Sequence, residues 1–166
     1  MGLYRSPLTL ATVETVFKRH EWRYEIVDEH LITVFDGVPM AFTVDGDREI
    51  ILLEVPLVPG RGMTGYRAAR PEHVANACMY ICAVNFQLAL GAFSRDHHDG
   101  EMRYESSMGV AAAVLTDEQL WQMIEVAHAA VSVRAPTIIA LLHGRMTLKQ
   151  ALDEMDQEDV PPAQVV

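Results

Sequence analysis

The sequence predicts an α+β domain, ordered α-β-β-β-α-β-β-α(-α), with an antiparallel twisted sheet packed against helices. Three observations carry that class. Apolar residues recur at helical spacing near the start, in the middle and towards the end of the chain. Between the first two helical stretches the pattern switches to period two. Asp-Gly pairs and other turn residues separate the alternating runs at hairpin distances.

The elements follow in order. Leu10, Val13, Phe17 and His20, with Val16 beside them, predict a first helix from about Pro7 to His20. Ser6 suits its N-cap and Pro7 its first turn. "WRYEIV" then places Trp22, Tyr24 and Ile26 on one face. "DEH" turns the chain into "LITVF". Asp36-Gly37 leads to "VPMAFTV", where Val38, Met40, Phe42 and Val44 alternate with smaller or polar residues. Asp45-Gly46-Asp47 opens "REIILLEVPLV". Residues 59–71, "PGRGMTGYRAARP", read as a glycine-rich loop.

The longest helix is expected from about Pro71 to Leu90. Its stripe is Val74, Cys78, Ile81, Asn85 and Leu88, widened by Ala77 and Val84. So much apolar girth predicts burial on more than one side. Strands follow at Gly91–Asp96 and from Glu101 to about Val114. Thr116-x-x-Gln119 is a capping box for a helix to about Val133, with Leu120, Met123, Ile124, Ala127 and Val131 inward. Pro136 should break or kink it. "TIIALLHG" continues as helix and stops at Gly144. Thr147-x-x-Gln150 caps a short last helix, "LKQALDEM". Residues 1–155 are expected to form one domain, and 156–166 a flexible tail.

The chain has 166 residues and a net charge of -10, with a pI near 5.0. Such a surface repels nucleic-acid phosphates, so no direct nucleic-acid binding is expected. No apolar run reaches membrane-spanning length, and no membrane association is expected. Gly2 and Ser6 match the loose myristoylation string, which is frequent by chance. Two cysteines and no secretory leader point to a reducing, cytoplasmic compartment.

No catalytic set is visible, so no enzyme is expected. "GRGMTG" (Gly60, Gly62, Gly65) matches a dinucleotide-binding string, but no helix opens directly after it and the strand before it belongs to a meander. Cys78 and Cys82 lie one helical turn apart. A zinc site needs about two more ligands and no cysteine remains to supply them, so they read as packing. Cofactor and metal sites are therefore both expected to be none. Arg61, Arg67 and Arg70 crowd the loop of residues 59–71 in an otherwise acidic chain. Guanidiniums there could bind a carboxylate or phosphate bidentately, which makes them possible partner-binding residues.

"SRDHHDGEMRY", residues 94–104, is the densest polar cluster. With Asp99-Gly100 as a two-residue type I′ turn, His98 faces Glu101, Asp96 faces Arg103, and Phe93 shares a face with Tyr104. His97 and His98 then point to opposite faces and cannot grip one metal.

The element order, "NFQLALGAFSRDHHDGEMRY" and "HGRMTLKQAL" together resemble the YbjN-like family from about Thr9 to Met155. The matching points are Asn85, then Leu90, Gly91 and Phe93, then Asp99, Gly100 and Glu101, then Gly144, Ala151 and Leu152. The resemblance implies a bacterial protein with a type III secretion chaperone-like fold and a sensory-regulator role, without catalytic residues. By analogy with the chaperones it implies a homodimeric, non-enzymatic protein-binding module that takes a segment of a partner protein. The alternative is a small-molecule or anion-sensing regulator that closes the Arg-rich loop 59–71 over its ligand. Nine methionines supply adaptable apolar surface for either core or partner.

Overall fold

A computed structural model describes residues 8–62, 68–110 and 115–157. Ser6, Pro7, Gly65, Arg67 and the tail beyond Gln157 lie outside the described residues. The elements are α1 (Leu10–Arg19), β1 (Glu25–Val27), β2 (His30–Phe35), β3 (Val38–Asp45), β4 (Ile50–Val58), α2 (Pro71–Gln87), β5 (Ala92–Arg95), β6 (Met102–Gly109), α3 (Asp117–Leu142) and α4 (Leu148–Gln157). Four strands precede α2, one more than the coarse order counted, because the "WRYEIV" stretch contributes a short strand of its own. The strands pair in the order β1-β2-β3-β4-β6-β5. The chain forms two contact units, residues up to Val55 with Glu105–Ala129, and Pro56–Tyr104 with the residues from Ala130.

In the first unit, α1 lies on β2 and β3. Val13, Val16 and Phe17 are its buried face. Phe17 meets Trp22, Tyr24 and Phe42 edge-on, with centroids 5.2, 5.8 and 5.6 Å away. These T-shaped contacts explain why Trp22 and Tyr24 precede the strand: packing on Phe17 holds them, and only Glu25–Val27 pairs with β2. The helix starts three residues later than predicted. Thr9 is its N-cap, and the Thr9 N–H donates to Thr12 Oγ1 at 3.3 Å.

β2 and β3 meet across Asp36-Gly37 with Phe35 opposite Val38. Both turn residues have positive φ, 46° and 82°, as a type I′ turn requires. Met40 and Phe42 are buried as the alternation predicts, together with Ile51, Leu53 and Val55 of β4.

In the second unit, α2 packs on β5 and α4. The Asn85 side chain acts as a surrogate strand. Its Nδ2 donates to the Phe93 carbonyl at 2.9 Å, and its Oδ1 accepts the Phe93 N–H at 2.8 Å. Tyr104 donates its hydroxyl to the Leu90 carbonyl at 3.0 Å. Gly144 has φ +65°, which favours glycine, and a Cβ there would also require the His73 ring to shift.

Pro136 does not break the late helix. It sits inside an uninterrupted α3 of 26 residues. Ala135, Ile138 and Leu141 are buried around it, and their burial outweighs a proline cost of about 3 kcal/mol. The prediction that no apolar run reaches membrane-spanning length fails for the same reason. Undivided, α3 is long and apolar enough to cross a membrane by length and composition. Leu120, Ile124, Ala127, Val131, Ile138 and Leu141 are nonetheless buried in the protein, the pattern of a core helix. Both capping boxes form. The Thr116 N–H donates to Gln119 Oε1 at 3.0 Å, with the return bond at 3.2 Å, and Thr147 and Gln150 repeat the arrangement. The last helix runs through Asp156 and Gln157, two residues into the expected tail.

Candidate protein-binding surface

Three features offer recognition chemistry, the outer face of α2, the β5–β6 hairpin tip, and a shallow concavity between α1 and α3 in the first unit.

α2 buries Ala77, Tyr80, Ile81 and Val84. The predicted stripe is therefore turned: Val74, Cys78 and Asn85 are only half-buried. The opposite face is apolar and uncovered. Ala75, Met79, Cys82 and Phe86 follow one another at helical spacing and are exposed, Phe86 at 93% and Met79 at 60%. Leu90, just beyond the helix, is also exposed. From Val74 to Gln87 the helix carries no charged residue. The expectation that this helix is buried on more than one side is not met within a single chain. Both cysteines are free. Burial pushes the Cys78 thiol up, which keeps it protonated and unreactive.

The hairpin tip differs from its predicted geometry. Asp99 does not have positive φ, so Asp99-Gly100 is not a type I′ pair. The Asp96 N–H donates to the Glu101 carbonyl at 2.9 Å, and the Gly100 N–H donates to the Asp96 carbonyl at 3.0 Å. The loop thus has four residues, and Glu101 rather than Arg103 lies opposite Asp96. The slip is by two positions, so faces are kept. Phe93 and Tyr104 still pack together, 5.3 Å between centroids. His97 and His98 do not diverge, and their ring centroids lie 3.7 Å apart.

The tip is tied to the glycine-rich loop. The Arg61 N–H donates to the Asp99 carbonyl at 2.6 Å. Gly60 is buried, and a Cβ there would strike the Asp99 carboxylate. That close approach explains the first glycine of "GRGMTG" without a nucleotide. Of the three arginines in this loop, Arg61 is exposed. Arg70 lies 3.9 Å from Glu72 on the surface. Arg67 lies outside the described residues.

The concavity has a volume of about 310 Å³ and is lined by His20, Trp22, Asp117, Glu118 and Trp121. His20 stacks on Trp22 at 4.8 Å, and Trp22 meets Trp121 at 5.4 Å. Asp117 binds Arg19 at 2.6 Å and His20 at 2.7 Å. His20 first, then Arg19, holds its carboxyl below the usual carboxylate range. Trp faces beside carboxylates suit an apolar or cationic side chain. Sequence reading did not single out this cluster, because its members are nearly a hundred residues apart. Arg134 was also missed. It is only 6% exposed, and it does have an interaction partner.

Among the described residues, six strands and four helices in this order define an α+β protein built on an antiparallel sheet. The chain belongs to the YbjN family, described as "Putative bacterial sensory transduction regulator", whose model matches residues 9–138. The solved structure of YbjN from E. coli is similar at a TM-score of 0.58 with 15% identity, covering 84% of this chain and 97% of that one. The HopA1-SchA chaperone-effector complex contains a chain matched at 0.49 and 14% identity, covering 77% and 98%. The ExsC-ExsE complex contains one matched at 0.44 and 18% identity, covering 74% and 90%. No curated protein matches the chain.

Proposed function

We propose that this protein is a non-enzymatic, cytoplasmic protein-binding module that acts as a regulator or chaperone, and that it works as a homodimer joined through α2. The observation that carries this reading is the exposed, uncharged face of α2. Two copies of a chain with net charge -10 repel each other. They associate most readily where neither presents charge, and Val74–Gln87 is such a stretch. A two-fold axis sets Met79, Cys82 and Phe86 against the same residues of the second copy. Phe and Met are the residue types that enrich interface centres.

Within the first unit, the edge strand β1 is available to a segment of a partner protein. Ile26 and Val27 are 48% and 46% exposed there, and an unpaired edge recruits an extended segment through main-chain hydrogen bonds. Arg61, Arg67 and Arg70 offer separate contacts, for acidic side chains of a partner segment. Changing these three to serine weakens segment binding and flattens its salt dependence.

Light scattering after gel filtration tests the dimer. Twice the chain mass is expected at micromolar concentration, falling to one chain mass in Phe86→Asp. A chain mass that stays single at every concentration overturns the reading.

A further inference from the structure

We propose that the tip of the β5–β6 hairpin is a binding site for one divalent transition-metal ion, held by Asp96, His97 and His98. One ligand atom from each of these residues lies within 4.8 Å of the other two. Among the described residues this is the one group of three such donors. The set is two imidazole nitrogens and a carboxylate oxygen. Imidazole suits zinc, nickel and copper, whereas magnesium and calcium favour sites built from oxygen alone.

The backbone beneath the donors is fixed before any ion arrives. The His98 N–H donates to Asp96 Oδ1 at 2.7 Å, which sets the Asp96 carboxylate over the loop. The Glu101 N–H donates to Asp99 Oδ1 at 2.9 Å. Arg61 holds the Asp99 carbonyl from the glycine-rich loop. Each carboxylate oxygen can accept more than one bond, so the turn contact leaves Asp96 able to ligate.

His97 and His98 are both exposed, and their rings touch only each other among the aromatic contacts of the described residues. Zinc–nitrogen bonds of about 2.0–2.1 Å bring tetrahedral donors to roughly 3.3 Å from one another. That is a short contraction from the present spacing, and it needs side-chain rotation only. Three protein ligands leave a coordination position for water or for a group from a partner. The site is therefore an open one on a loop held by backbone hydrogen bonds.

Titration calorimetry of the full chain with zinc chloride tests the site. One ion per chain is expected, with magnesium giving no heat. His97→Ala and His98→Ala should each weaken zinc by roughly 10-fold or more, and the double variant should abolish the event. Asp96→Asn should also weaken it. Asparagine can still accept the turn hydrogen bond, so weaker binding in that variant reports ligation and not unfolding. Far-UV circular dichroism of each variant should match the parent. Zinc binding of unchanged affinity in the double variant would place the ion elsewhere, for instance on Cys78 and Cys82, and overturn the proposal. Absence of binding to the parent chain would do the same.

Discussion

α2 and α3 are both rich in apolar residues, yet they differ in where the polar ones fall. α3 faces solvent with Gln122, Glu125 and Ser132, and also with Val133, and turns Leu120, Ile124, Ala127, Ile138 and Leu141 inward. α2 hides Ala77, Tyr80, Ile81 and Val84 but also shows Met79, Cys82 and Phe86 to solvent. Apolar content alone would assign both to the interior. The placement of charge separates a helix completed within its own chain from one that needs a second surface.

The largest effect that sharpens this contrast comes from the inner faces. Leu120→Ala on α3 and Ile81→Ala on α2 should each cost about 2–5 kcal/mol, measured by urea unfolding, because both open cavities in packed regions. A cost near zero for Ile81→Ala would mean that α2 has been assigned the wrong seam. Next, Asn85→Ala should cost about 1–3 kcal/mol, since the Phe93 N–H and carbonyl are both left without their partner. Hydrogen exchange at Phe93 should accelerate in that variant.

The helix starts differ more subtly. α3 begins with a formed capping box at Thr116, so Thr116→Ala should cost about 1 kcal/mol. α2 begins at Arg70, whose side chain makes no cap. Arg70→Ser should therefore raise stability by about 0.5–1 kcal/mol, because serine caps the helix and the exposed Arg70–Glu72 ion pair stabilises little. The smallest effect is a pH dependence. The Asp117 carboxyl is lowered by His20 and Arg19, so its contribution is full above the ordinary carboxylate pKa and disappears as pH falls through the lowered value. The melting-temperature gap between the parent and Asp117→Asn should close on acidification below about pH 4. A gap independent of pH would remove the ionic explanation.

Two of the three Asp-Gly hairpins show what could be read from sequence. At Asp36-Gly37 the dipeptide signal and the structure agree, because both residues accept positive φ and the flanking strands are long. At Asp99-Gly100 the same dipeptide sits in a four-residue loop. There the Asp96 and Asp99 side chains each accept a backbone N–H, and these local bonds outcompete the tight turn. The strand faces remained legible since the register slipped by two, but the histidine arrangement did not. Capping boxes were legible, being local. The continuity of α3 through Pro136 was not, because burial on either side of the proline overrides a local rule. The His20–Trp22–Asp117–Trp121 concavity depends on contacts nearly a hundred residues apart along the chain, which no periodicity reports.

The central claim is that the exposed face of α2 joins two copies of the chain. Sedimentation velocity of the parent chain and of Met79→Asp/Phe86→Asp at equal concentration tests it most directly. The parent should sediment as a dimer across the micromolar range. The double variant should sediment as a folded monomer, with the dissociation constant raised by roughly a hundredfold or more. A parent that sediments as a monomer, or a double variant that remains dimeric, would contradict the account.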